Sequence, residues 1–312
     1  PYKVYFQLIF DFLKGSTDVT EKRAAILICG KIGDEKFCGF LKEMATDSDL
    51  NVRKDVAKAL GKIGGDRALD ILITMAISAD FSLKYYVAES LGKIGDDKAF
   101  DALMMMSTSI TTATGDDLSV MKWIAKALGE IGGDKALDVL RTMKTDNEPW
   151  VRKYVASSLG KIGGDKAFDA LLTMKNDAER DVREAVAKAL GEVGGDKVLD
   201  ALTAMATGSN LSVQKHAILA LTKINEGKAL DILIAMKADS NPRVKRWVAE
   251  ILIEIGGDSV YEVLLTMKND IDPYVEERVR KIRLERLLFK DFKVSNNELL
   301  CKELMEGPDS WL

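Results

Sequence analysis

The sequence predicts an all-α solenoid of about eight to nine 31-residue helical hairpins. Three observations carry that expectation. A Leu-Gly-Lys-Ile-Gly-Gly-Asp phrase recurs, its first glycine falling at Gly30, Gly61, Gly92, Gly129, Gly160 and Gly191, with Thr222 and Ile253 in the same place later. Every interval is 31 residues except Gly92 to Gly129, which is 37. Apolar residues make up 47% of the chain and only 5 of 312 residues are proline, so helix is favoured over strand. A period of this length marks a stacked array, in which each unit buries its apolar face only against its neighbours.

Residues 165–195 show how one unit is built. Asp165 is expected to cap a first helix running from Lys166 to about Asn176, which buries Ala167, Phe168, Leu171 and Met174. A polar turn from Asp177 to Arg180 reverses the chain. The second helix buries Val182, Val186, Ala189, Leu190 and Val193, the stripe of an amphipathic helix. Gly194-Gly195 ends it, because glycine tolerates the left-handed conformation at a helix C-terminus. Pro149, Pro242 and Pro273 each stand two residues before the apolar residue that opens a second helix, where a missing N–H costs nothing.

These residues resemble the short-repeat HEAT family found in phycobilin lyases. Val182-Arg183, Ala187, Ala189-Leu190-Gly191 and Val193-Gly194 match that family's Val-Arg…Ala…Ala-Leu-Gly…Ile-Gly phrase, and the resemblance covers roughly residues 15–283. It implies a right-handed superhelix with the second helices lining the concave face. For function it says little, since the phrase consists of core and turn residues.

The ends and one interruption depart from the period. Residues 1–14 are expected to hold a lone N-terminal capping helix, residues 15–283 the repeats, and residues 284–312 a C-terminal cap and tail. After Asp272 the pattern decays, since Arg283 replaces a core leucine and no glycine turn follows. The extra residues of the long interval lie in Ser107–Asp116, which is either a tolerated surface insertion or a loop overhanging one rim of the groove.

Composition narrows the function classes. A net charge of −4 offers nucleic acid no general attraction. No apolar run approaches the roughly 20 residues that cross a bilayer. Residues 1–13 carry Lys3 and Asp11 without a small-residue cleavage site, so no signal peptide is expected. The chain opens on Pro1 rather than Met, as a processed chain or a piece of a longer one would. Cys29, Cys38 and Cys301 form no disulfide framework and fit a reducing, cytoplasmic compartment.

In a stack, equivalent positions form columns. Met44, Met75, Met106, Met143, Met174, Met205, Met236 and Met267 share one position on the apolar stripe and are expected to fill the core. Asp70, Asp101, Asp138, Asp169, Asp200 and Asp231, with Glu262, recur in the first helices, where one acid per unit cannot converge on a metal. His216 is the only histidine, so the His-Glu iron sites of deoxyhypusine hydroxylases, which share this repeat type, have no counterpart. Cys29 and Cys38 align with core positions of other units. No catalytic residue, metal ligand or cofactor is expected.

One column stands apart. Six residues before each marker position stand Asp55, Tyr86, Trp123, Tyr154, Ala185, His216 and Trp247, aromatic or histidine at most places in a chain only 7% Phe, Trp and Tyr. Tyr85 and Trp150 lie close by on the same helices. The position flanks the buried stripe and should be partly exposed, as rings on a recognition surface are, although packing between units would also place rings there. Beside it, the positions most opposed to the core carry Lys54, Lys58, Lys62, Lys93, Lys122, Lys126, Lys153, Lys161, Lys188, Lys215, Lys223 and Arg246 against six glutamates, an excess of about +6. Basic residues such as Arg53, Arg152 and Arg183 are expected to bridge units instead. The leading expectation is therefore a non-catalytic scaffold that binds an acidic protein segment through Tyr85, Tyr86, Trp123, Trp150, Tyr154, His216 and Trp247, with Lys122, Lys126, Lys153, Lys215 and Arg246. Two alternatives stay open: tetrapyrrole handling of the bilin lyase type, and nucleic-acid binding, for which stacking rings suit single strands but the overall acidity does not.

Overall fold

The computed structural model describes residues 2–77, 81–108, 115–208, 210–239, 241–267, 273 and 276–282. Among them every regular element is a helix. A lone α1 (Tyr2–Leu13) leads into α2 (Val19–Ile32), a short 3-10 turn and α3 (Cys38–Met44), then α4 (Leu50–Ile63), α5 (Gly65–Ile77) and α6 (Phe81–Ile94). The chain continues through α7 (Asp97–Thr108), α8 (Gly115–Ile131), α9 (Gly133–Met143), α10 (Pro149–Ile162), α11 (Gly164–Met174) and α12 (Arg180–Val193). It then forms α13 (Asp196–Ala206), α14 (Leu211–Ile224), α15 (Glu226–Met236), α16 (Pro242–Ile255) and α17 (Asp258–Thr266). From α2 onward the even-numbered elements are the second helices that carry the marker phrase. Residues 284–312 with Cys301, and most of the expected Ser107–Asp116 loop, lie outside the described residues.

The chain divides into two compact units, residues 1–205 and 206–312. In the first, α2, α4, α6, α8, α10 and α12 pack each on the next, and α3, α5, α7, α9 and α11 each pack on their own hairpin partner. The marker glycine explains the closeness of that stacking. A methyl group placed on Gly160 would lie 2.6 Å from Ala189 Cα, and one on Gly61 or Gly129 would lie 2.6 Å from Cβ of Ser90 or Ser158. The backbones of successive second helices meet there, and only a hydrogen on one side with a methyl or hydroxymethyl on the other fits. Ser90 and Ser158 are buried, and each donates its hydroxyl to a carbonyl of the preceding second helix, Ala57 O and Ala125 O, at 2.8 Å.

The hairpin turns are held by a recurring pair of devices. Asp47, Asp146, Asp177 and Asp239 accept the N–H two residues on, at 2.7–2.9 Å. The arginine after the opening valine then grips the same turn: Arg53, Arg152 and Arg183 donate to the carbonyls of Asp47, Asp146 and Asp177. Arg152 also reaches the next unit, clamping the Asp177 carboxylate from Nε and Nη2 at 2.7 and 2.8 Å. The expected bridging role is thus met by Arg152, and Arg183 and Arg53 also grip their own turns. The second helices other than α14, which ends on Asn225, end on glycine with positive φ, as at Gly163 and Gly164 with φ of 72° and 80°.

One detail corrects the sequence reading. Asp165 does not cap α11; Gly163 occupies that place and no side chain bonds there. Asp165 sits in the first turn and pairs with Lys197 of the following unit at 2.8 Å. Asp66–Lys98, Asp97–Lys135 and Asp134–Lys166 repeat this pairing, so a helix-dipole position doubles as an exposed inter-unit ladder.

The methionine column packs inward as expected. Met75, Met106, Met143, Met174, Met205 and Met267 are buried, and Met44 and Met236 partly so. Cys29 and Cys38 are buried and unbonded. At the N-terminus Phe10 of α1 packs edge-on against Phe37 and Phe40, 4.7 and 5.2 Å between ring centroids. In the second unit α14 and α16 each pack on α15, and α16 on α17. There the marker glycine is replaced by Thr222 and Ile253, both half-buried.

Candidate functional site

The second helices of the first unit carry the aromatic column, and the structure brings four of its rings together. Tyr85 and Tyr86 of α6 stand 4.4 Å apart by ring centroid. Tyr85 reaches Trp123 of α8 at 4.1 Å, and Trp123 reaches Tyr154 of α10 at 5.6 Å. All four are half-buried, so each packs against its neighbours while presenting an edge or face outward. The same rings thus pack between units and remain partly exposed.

Lysines lie over this cluster. Lys122 and Lys126 stand 5.2 and 5.4 Å from the Trp123 ring centroid. Lys54 and Lys58, on α4, reach across to Tyr86 at 5.5 and 4.7 Å. An ammonium within about 6 Å of a ring face is attracted by the ring quadrupole. Lys54 and Lys58 belong to the basic face read from sequence, but their engagement with the rings was not foreseen. The available signal is their spacing, since residues four apart on α4 share the face that looks across at the next unit's ring.

The rest of the basic face is largely neutralised within the molecule. Lys93 pairs with Glu89 at 2.8 Å, Lys161 with Glu130 at 2.5 Å and Lys153 with Asp181 at 3.3 Å. In the second unit Lys215 and Arg246 both reach Glu250, at 3.5 and 3.2 Å. Lys54, Lys58, Lys122 and Lys126 have no carboxylate within ion-pair distance among the described residues. Cations without an ion pair among the described residues thus lie over the ring cluster, on α4 and α8.

Glu89 lies between those two pairs, on α6. Burial by itself would raise its carboxyl, but the hydrogen-bonded Lys93 ammonium, with the charge of Lys126 and the Tyr85 hydroxyl, brings it below the ordinary glutamate range. Tyr85 moves upward, chiefly through burial and then through the Glu89 charge. The centre of the cluster is therefore an internal Glu89–Lys93 ion pair flanked by the lysines of α4 and α8.

Other members of the column depart from the expectation of partial exposure. Trp247 is buried, 7% exposed, and its Nε1–H has no acceptor among the described residues. Asp55 and Ala185 are buried too, Asp55 accepting from Arg23 Nε at 2.7 Å. The position borders the apolar stripe closely enough that a side chain leaning toward the neighbouring helix is covered by it. His216 is half-buried with Nδ1 2.8 Å from Ser212 O. Trp150 is 59% exposed in the first turn of α10, apart from the ring cluster.

Elsewhere, a cavity of about 480 Å³ opens beside α3 and α5, lined by Lys42, Arg53, Asp70, Ile71, Met75 and Leu83. Its Arg53 guanidinium is engaged with turn carbonyls. Among the described residues no three His, Cys, Asp or Glu side chains gather as metal ligands would. No described helix is long and apolar enough to cross a membrane.

Comparison with known proteins agrees with the repeat architecture. A family model described as HEAT repeats matches residues 6–84, 78–152, 142–214 and 206–281. No curated protein matches the sequence. Among solved structures, the complex of CpcE and CpcF of phycocyanin lyase from Nostoc sp. PCC7120 is similar at 20% identity. That match covers 75% of this chain and 94% of that one, with a TM-score of 0.46. YIBA_ECOLI is similar at 18% identity over 85% of this chain and 98% of that one, with a TM-score of 0.49. Human deoxyhypusine hydroxylase in complex with glycerol is similar at 17% identity over 81% and 96% of the two chains, with a TM-score of 0.36.

Proposed function

The chain belongs to the HEAT-repeat family, and from that premise we propose that it is a non-catalytic scaffold whose first unit holds an acidic protein segment against the rings of Tyr85, Tyr86, Trp123 and Tyr154. The observation that carries this reading is the coincidence of a half-buried aromatic cluster with four lysines that lie over its rings and have no carboxylate partner among the described residues. Rigid rings give contact area at small entropic cost, and unpaired cations beside them select an acidic partner and speed its arrival. Because these cations sit over the ring faces, a cationic ligand would meet repulsion there.

The test compares partner capture by the wild-type chain and by the triple variant Tyr86→Ala, Trp123→Ala, Tyr154→Ala. The variant should lose an acid-rich set of captured proteins while its circular dichroism stays helical. Undiminished capture by a helical variant sinks the proposal. Mixing the chain with a bilin or porphyrin, and titrating it with a single-stranded oligonucleotide at rising salt, addresses the two competing ligand classes.

A further inference from the structure

The arrangement of charge around the cluster says more about the occupant than that it is acidic. Four cations lie over the rings, and they come as two pairs on different helices: Lys54 and Lys58 on α4, Lys122 and Lys126 on α8. Helix α6 lies between α4 and α8, packing on both. It contributes no free cation to the gap. Its Lys93 is engaged by Glu89 at 2.8 Å, and Glu89 stays ionised beside Tyr85. A continuous run of acidic residues laid from α4 to α8 would therefore be attracted at both ends and meet no net charge in the middle, where Glu89 and Lys93 cancel.

We infer that the preferred occupant is an extended peptide with two separate acidic clusters, one held by Lys54 and Lys58 and the other by Lys122 and Lys126, joined by an uncharged stretch over Tyr85, Tyr86 and Trp123. This rests on the scaffold reading above and narrows it. The separation follows from packing. Neighbouring helices lie about 8–10 Å apart, so the span from α4 to α8 is on the order of 20 Å. An extended peptide advances about 3.3 Å per residue, which places the two acidic clusters roughly six residues apart. On binding, each ammonium exchanges its ring contact for a carboxylate, and the uncovered ring faces become available to the middle of the peptide. Trp123, under Lys122 and Lys126, changes its surroundings at that moment.

The experiment uses the full chain and synthetic fluorescein-labelled peptides built from glutamate, glycine and serine. One peptide carries two glutamate pairs about six residues apart. A second has the same composition with the four glutamates contiguous. Fluorescence anisotropy at low salt should show the split peptide binding about tenfold more tightly, because it can engage both lysine pairs where the contiguous peptide reaches only one, a difference of a few weak exposed ion pairs. The double variant Lys54→Gln, Lys58→Gln should erase that preference while its helical signal is unchanged. Equal or tighter binding of the contiguous peptide overturns the two-cluster inference but leaves the scaffold reading standing. Absence of binding by either peptide, or their displacement by an oligothymidylate, also overturns it. The scaffold reading itself fails separately, by unchanged capture in the aromatic triple variant.

Discussion

Lys58 Nζ stands 4.7 Å from the centroid of the Tyr86 ring, although the two side chains belong to successive repeats. The contact ties the basic face of one second helix to the aromatic position of the next. A double-mutant cycle with Lys58→Gln and Tyr86→Leu, read by urea denaturation, should give a coupling of about 0.5–1 kcal/mol, the range of exposed cation–π pairs. A coupling of zero would mean that the ammonium rests in solvent.

Gly160 sets a steeper requirement. Alanine there raises helix propensity by about 1 kcal/mol but drives a methyl group into the α12 backbone at Ala189, so Gly160→Ala should destabilise the first unit by a net 1–3 kcal/mol or so. Gly160→Ala that raises the urea midpoint would show that the helices can part at no cost.

Ser90 offers a gentler probe of the same joint. Ser90→Ala removes the 2.8 Å bond to Ala57 O and puts in its place the residue that Ala59, Ala127 and Ala189 already supply in other units. The shape is conserved, and the expected loss is about 1 kcal/mol, seen as a lower midpoint with an unchanged slope.

Acid should act through Asp177. Burial pushes its carboxyl up, but the Arg152 hydrogen bonds, the Glu179 N–H and the charges of Arg152 and Arg183 outweigh it and hold the group below the ordinary aspartate range. A group depressed in the folded state contributes stability that is present above its unfolded pKa, about 3.9, and is lost as pH falls through the folded value. Arg152→Ala should therefore lower stability by about 1–3 kcal/mol at neutral pH and flatten its decline below about pH 4, as followed by circular dichroism. An acid limb as steep as that of the wild type would remove Asp177 from the account.

Burial also governs the thiols. It pushes Cys29 up to about 12 and moves Cys38 in the same direction, leaving almost no thiolate near neutrality. At pH 8 neither should react with iodoacetamide in the folded chain, and both should after denaturation, as mapped by peptide mass spectrometry. Native labelling at Cys29 would show that α2 opens readily.

The hairpins were legible because their signals are local: a glycine where φ is positive, a proline where no N–H is needed, an apolar stripe with helical spacing. Asp165 does not cap α11 because Gly163-Gly164 lets the chain enter the helix two residues early, freeing Asp165 for Lys197. The column of rings was visible as a period, but its fate was not. Tyr86 and Trp247 occupy the same position in their repeats, and one is half-exposed under two lysines while the other is covered. Which way a bordering side chain leans depends on what the next helix presents. That is a property of pairs of repeats, and a single unit's sequence does not contain it. The same limit hid the internal ion pairs that cancel most of the basic face.

The marker glycines make each joint of the first unit a plug and socket of one gauge: hydrogen on the leading helix, alanine or serine on the trailing one. Removing residues 130–160 would bring Gly129 against Ala189 in place of Ser158, a pairing already in use between Gly160 and Ala189. At this contact the stack can thus be shortened or lengthened by whole units without changing the fit. It is also polar, since a reversed unit would set glycine against glycine. Length in this protein is an adjustable quantity, and the ringed cluster is an inscription on a few of its interchangeable segments.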